Sequence, residues 1–169
     1  MKKIGLLSDT HGVLDNRVFD YFKEVDEIWH AGDIGTIEVL DELNEFKPTI
    51  AVFGNIDGGD LRIDCKETVL LRRDGLKVLI THIAGKPPRY NPRVLSLVQE
   101  HRPNVLICGH SHILKVEFDK RNQLLFMNPG AAGNHGFHKV KTLLRFGIEN
   151  MKVKDLEVIE LGKRGAISQ

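Results

Sequence analysis

The stretch KIGLLSDTHG (3–12) decides the fold. Its apolar run from Lys3 to Ser8 has the length of a buried strand, and it stops at a polar group, Asp9-Thr10-His11, followed by a glycine. The pattern recurs: EIWHAGD (27–33), TIAVFGN (49–55), LITH (79–82) and VLICGHSH (105–112) are apolar runs that also end on aspartate, asparagine or histidine. In an open α/β sheet the carboxyl ends of neighbouring parallel strands face one crevice, so polar ends far apart in sequence can converge there.

Between the first three runs the chain shows helical spacing. Leu14, Val18, Phe19 and Phe22 form one amphipathic segment, with Asp15 and Asn16 as candidate caps, and Ile37, Leu40 and Leu43 form a second behind Thr36. Strands at Lys3–Ser8, Glu27–His30 and Thr49–Phe53 therefore alternate with helices, the rhythm of βαβ units. Beyond Gly54 the pattern changes. Asp74-Gly75 between two β-type runs, Glu67–Arg72 and Leu76–Thr81, signals a hairpin. Asn91-Pro92 starts a helix carried by Val94, Leu95 and Val98 toward Arg102-Pro103, and Val105–Cys108 returns to a strand. Ile113–Phe118, Leu124–Met127, Thr142–Ile148 and Val153–Ile159 look like antiparallel strands, and Gly162–Gln169 reads as a loose end. The expected fold is α/β: two mixed β-sheets packed as a sandwich with helices outside.

The chain of 169 residues suits one domain with no tail. Its 24 lysines and arginines balance 23 aspartates and glutamates, so no bulk field draws it to nucleic acid or an anionic membrane. No apolar stretch approaches the roughly 20 residues of a membrane span, and the opening run reads as a strand rather than a signal peptide. Two cysteines, Cys65 and Cys108, make a disulfide framework a poor fit and a reducing cytoplasm the simplest location. Cys108 reads as a small buried hydrophobe.

The strand ends collect four imidazoles (His11, His82, His110, His112), two carboxylates (Asp9, Asp33) and one amide (Asn55). Nitrogen and oxygen donors of this kind suit manganese, iron, zinc, cobalt or nickel better than calcium or magnesium. A catalytic zinc site uses about three protein ligands, so the set is large enough for two ions that share a carboxylate. Two divalent ions balanced by Asp9, Asp33 and one hydroxide leave a positive centre for an anionic phosphate.

In the order D-x-H, G-D, G-N-x-D, T-H and G-H-x-H, these five blocks resemble the calcineurin-like metallophosphoesterase superfamily, and within it the small prokaryotic phosphodiesterase branch. The resemblance runs from Asp9 to His112, with an echo in Asn128-Pro129-Gly130. It implies a four-layer αββα sandwich and a phosphodiesterase that uses two divalent transition-metal ions, manganese first among them. Asp9, His11, Asp33 and His112 would bind one ion; Asp33, Asn55, His82 and His110 would bind the other, with Asp33 as the bridge. His110 and the backbone around Asn55 would contact the phosphate. A metal-activated hydroxide would attack in line between ions roughly 3.5–4 Å apart, and the partner would be a small phosphate ester, with no stable nucleic-acid or membrane partner. Phosphomonoesters, cyclic nucleotides and a nucleotide diphosphate are alternative substrates. The retromer scaffold subunit, which shares the fold, supplies a non-catalytic alternative, against which stands the complete set of coordinating side chains here. Exposed strand edges leave room for a homo-oligomer.

Two positions depart from the pattern. Ile56 stands where many relatives carry a proton-donating histidine, and Ala84 stands where a further histidine is common. His135 and His138, after Asn128-Pro129-Gly130, are candidates to bind phosphate or supply the missing proton, against a plain reading as polar loop. Asp57 is expected to orient an imidazole, and His30 to support Asp33. Lys86, Arg89 and Tyr90 form a candidate substrate rim, or simply a solvated loop around Pro87-Pro88.

Overall fold

The structure, a computed structural model, describes residues 1–165. Alternation in the first strand, β1 (Lys2–Leu7), sends Ile4 and Leu6 to one face and Leu7 to the other, and every residue from Ile4 onward is buried. A strand buried on both faces needs a layer on each side of its sheet. β1 pairs in parallel with β2 (Glu27–His30), which pairs in parallel with β3 (Thr49–Ala51). Its other edge pairs antiparallel with β11 (Val140–Glu149), and β11 with β12 (Lys152–Lys163). The second sheet runs β4 (Thr68–Arg73), β5 (Leu76–Thr81), β8 (Val105–Ile107), β10 (Leu124–Pro129), β9 (Leu114–Asp119), with β5, β8 and β10 parallel and antiparallel strands at both edges.

Ile4, Leu6, Trp29, Val78, Ile80, Ile107, Met127 and Phe146 fill the space between the sheets. The outer face of the first sheet is covered by α1 (Arg17–Tyr21) and α2 (Ile37–Phe46), which bury Val18, Val39, Leu40 and Leu43 against Leu7, Ile28 and Leu143. Gly5 on that face is what lets Phe22 in, since a Cβ there would lie 2.8 Å from the ring. The outer face of the second sheet receives α4 (Pro92–His101), started by the Asn91 side chain, which accepts a hydrogen bond from the Val94 amide at 2.9 Å. The result is the helix-flanked sandwich of two mixed sheets that the sequence predicts, its parallel strands all ending at one edge. Among the described residues no helix is long and apolar enough to cross a membrane.

Some elements differ from the reading. The first helix is five residues long and leaves Leu14 outside it. Neither Asn16 nor Thr36 makes a side-chain cap. A short helix, α3 (Gly59–Asp64), and a small hairpin, β6 (Gly85–Lys86) with β7 (Arg89–Tyr90), escape the periodicity because they are too short to show one. The last strand does not fray at Gly162: it continues to Lys163, because Leu161 is fully buried and Gly162 and Lys163 still pair with Lys141 and Val140. The rest of the expected loose end, 166–169, lies outside the described residues.

Candidate metal centre

Five parallel strands, β1, β2 and β3 from one sheet and β5 and β8 from the other, deliver the polar residues to a common edge. Backbone hydrogen bonds stitch the loops together. The amides of Asp9 and His11 donate to the carbonyls of Gly32 and Asp33, both at 3.0 Å, and the amide of Gly109 donates to the carbonyl of His82 at 3.0 Å. The loops approach so closely that a side chain on Gly54 would collide with the Asp33 carboxylate, and one on Gly109 with Ser8 and Asp9. The requirement at these two glycines is proximity rather than unusual φ.

Two groups of donors result. Ligand atoms of Asp9, His11 and His112 lie within 4.8 Å of one another, and so do those of Asp33, His82 and His110. Asn55 joins the second group, its Oδ1 lying 3.1 Å from His110 Nδ1. Asp33 stands between them: its Oδ2 is 3.4 Å from His11 Nε2 and 3.2 Å from His82 Nε2. A carbonyl can only accept, so His82 Nδ1, at 2.7 Å from the Ala31 oxygen, carries the ring proton and turns the Nε2 lone pair inward. Asp9 Oδ1, His11 Nε2 and His82 Nε2 are buried without a hydrogen-bond partner. Buried polar atoms are normally paired, and inward lone pairs of mixed imidazole and carboxylate character fit divalent cations.

Electrostatics agree. Burial opposes ionisation of Asp9, but the imidazoles of His11, His112 and His82 and the hydroxyl of Ser8 overcome it and hold the carboxyl well below the usual range. Asp33 is lowered in the same way, chiefly by His82 against its burial, and the two carboxylates raise His82 against its own burial. The ligand-bearing backbone is also unusual: Asp9, His11, Asp33, His110 and His112 all have φ between 47° and 72°. Left-handed non-glycine residues concentrate at functional sites.

The supporting residues are only partly as predicted. Among the described residues Asp57 makes no hydrogen bond to an imidazole. Its carboxylate instead accepts from the amides of Gly54 (2.7 Å), Gly35 (2.8 Å) and Ile34 (3.1 Å), tying the Asn55 loop to the Asp33 loop. His30 acts through the backbone: Nδ1 accepts from the Gly32 amide at 3.1 Å, so Nε2 carries the proton toward Thr10 Oγ1 at 3.0 Å, and complete burial pushes its pKa down to about 4. Sequence reasoning missed Ser8, which donates to Asp9 Oδ2 at 2.7 Å. It also missed the brace that Asn128 supplies by donating to the Gly109 carbonyl and Ser111 Oγ, both at 3.0 Å; the Asn-Pro-Gly turn at a strand end was its signal. Tyr90 belongs to no substrate rim. It is buried, stacked on Phe126 with its hydroxyl on Asp119 at 2.6 Å, while Lys86 and Arg89 are exposed on the β6–β7 hairpin.

His11, His110 and His112 line a cleft of about 550 Å³ closed on the far side by the loop carrying His135 and His138. His135 stacks on His11 with centroids 4.7 Å apart, and His138 meets His112 edge-on at 5.2 Å. His138 Nε2 donates to the Gly133 carbonyl at 2.8 Å, which leaves its Nδ1 an acceptor. Ile56, 46% exposed, lines the same cleft.

A profile described as the calcineurin-like phosphoesterase superfamily domain matches residues 1–151. The chain belongs to this family. It is accordingly a metal-dependent phosphoesterase, in a family whose chemistry uses divalent metals. A probable metallophosphoesterase of Methanocaldococcus jannaschii is 36% identical over 134 residues, covering 76% of this chain and 67% of that one. A phosphodiesterase of the same organism is 29% identical over 145 residues, covering 76% and 82%. Among solved structures, an archaeal phosphodiesterase superposes with a TM-score of 0.75 at 26% identity, covering 94% and 99% of the two chains. Zinc-complexed Vps29 of Entamoeba histolytica, at 18% identity and a TM-score of 0.72 over 94% and 98%, shares the fold.

Proposed function

We propose that the chain is a phosphodiesterase that works with two divalent transition-metal ions, manganese first among them. Asp9, His11 and His112 hold one ion, and Asn55, His82 and His110 hold the other, with Asp33 shared. The position of Asp33 Oδ2, within 3.4 Å of an inward nitrogen from each group, carries this reading. When bound, the pair supplies water activation and neutralises charge on the phosphoryl oxygens. The protein positions the substrate: His110 and Asn55 are exposed at the floor of the cleft, where a phosphate oxygen can meet them. A diester is the preferred substrate because the cleft wall at Ile56 is aliphatic and offers no proton, and because an aryl oxide of low pKa departs without a donated one. The phosphodiesterase relative at 29% identity supports the same choice. Two free, buried cysteines suit a reducing cytoplasm.

A scaffold role finds support only in the fold shared with Vps29, and the retained donor set disfavours it. Elemental analysis after manganese loading, run beside turnover of bis(p-nitrophenyl) phosphate and p-nitrophenyl phosphate, tests the proposal. About two ions per chain with the diester ahead is the expected result. Background metal with neither ester hydrolysed refutes the enzyme, and a faster monoester refutes the diester preference.

A further inference from the structure

Resting on the phosphoesterase reading, we propose that the cavity behind the Gly109–Ser111 loop seats one ester group of the substrate, and that this group is a planar apolar ring of aryl type. The cavity measures about 580 Å³, within the range of small-molecule sites. It lies between the segments that follow β5 and β8, the strands that deliver His82 and His110. His110 lines both this cavity and the cleft described above, so a phosphoryl group held at His110 has its substituent at the cavity mouth.

The chemistry of the walls selects the occupant. Ile83 and Ile113 are 38% and 66% exposed beside a strongly polar centre, and between them the floor is Ala84 and Phe126. The side-chain acceptors of the floor are already engaged. Asn128 spends its amide on Gly109 and Ser111 and its carbonyl on the Gly130 amide at 2.9 Å, while Ser111 Oγ accepts from the Ile113 amide at 3.2 Å. Beyond the Ser111 hydroxyl proton, the floor side chains offer little to read sugar hydroxyls, whereas an aryl ring loses no hydrogen bond by entering. The floor is preformed, since the Phe126 ring is backed by Tyr90, whose hydroxyl is anchored on Asp119. Two ammonium groups line the cavity. Lys115 is paired with Glu117 at 3.1 Å, but Lys86 makes no ion pair among the described residues. A cationic substituent of choline type is therefore disfavoured.

Binding to the zinc-supplemented protein, followed by ¹⁵N amide shifts, separates this proposal from the phosphoesterase reading because it needs no turnover. Phenylphosphonate and methylphosphonate carry the same anionic head and differ only in the ring. Phenylphosphonate should bind at least about tenfold tighter and shift the amides of Gly85 and Gly109, and phosphocholine should bind no tighter than methylphosphonate. Ile83→Asp, at a partly exposed position, should compress the phenyl preference to about threefold or less. Equal affinities for the two phosphonates, ring-dependent shifts confined to 133–138, a preference untouched by Ile83→Asp, or tighter binding of phosphocholine would each overturn it. Failure to hydrolyse any ester would sink the phosphoesterase reading and leave this result standing on the shifts alone.

Discussion

Asp57→Asn isolates what holds the two metal-bearing loops of the first sheet together. The wild-type carboxylate accepts three backbone amides, two from the Asp33 loop and one from the Asn55 loop, at 2.7–3.1 Å, and is itself buried. Hydrogen bonds to a charged group contribute roughly 1.5–3 kcal/mol each. The amide keeps one acceptor oxygen, but it turns an NH₂ toward donors that need an acceptor. With its oxygen in the place of Oδ2, which accepts from Gly54 and Ile34, the amide loses the bond from Gly35, a destabilisation of roughly 1.5–3 kcal/mol. For a chain of this size each kcal/mol lowers Tm by about 2–4 °C, so calorimetry should find a drop of roughly 3–12 °C. The loops then separate Asp33 from Asn55, and metal affinity should fall about 10- to 100-fold, as for other partners that position ligands. A Tm within 2 °C of wild type, or an unchanged metal affinity in a destabilised variant, would refute the reasoning.

Asp33→Ala should empty both ion positions while His112→Ala empties one, read as metal per chain after loading; equal losses contradict a shared carboxylate. With Ile56 in the cleft wall, hydrolysis of substituted aryl diesters should slow steeply as leaving-group pKa rises, in proportion to the roughly 10²- to 10⁴-fold that an acid would supply. His138→Ala should not change that slope, because its Nε2 proton is committed to Gly133; a flat wild-type series that steepens in His135→Ala or His138→Ala identifies that histidine as the donor instead. Asp15 is held well below the usual carboxylate range by Arg17 against its burial, with help from Lys141. A lowered folded pKa contributes stability that is complete above the unfolded value of about 3.9 and fades as pH falls below it. Urea midpoints should therefore drop between pH 5 and pH 3 in wild type, and less so in Asp15→Asn.

The sequence carries the donor set openly because each donor sits next to the apolar run that delivers it. Asp9 needs only the end of β1 and His82 only the end of β5, and the crevice rule does the rest. What it hides depends on pairings between distant segments. β1 lies between β2 and β11, a strand whose partner residues are numbered above 140, and no local pattern announces that neighbour. The sequence points Asp57 toward an imidazole because carboxylates near metal sites commonly take one. Its amides come from Ile34, Gly35 and Gly54, and main-chain donors have no signature in residue type. Tyr90 offers a phenol to either a rim or a solvated loop, but the partner that buries it, Asp119, follows it by 29 residues.

The backbone at the site bears on the choice between enzyme and scaffold. Asp9, His11, Asp33, His110 and His112 occupy left-handed φ, where glycine meets no steric penalty and other residues incur of order 1–3 kcal/mol. Asp9 and Asp33 recover part of this through hydrogen bonds from Ser8, the His110 amide and the Ile56 amide. His11 recovers none at Nε2, which is buried and unpartnered. A protein that used only the outside of this fold would relieve that strain with glycine at His11, giving up only the ring contacts with His135 and His112. Imidazoles held in strained backbone with inward lone pairs are explained when those lone pairs have a cation to meet.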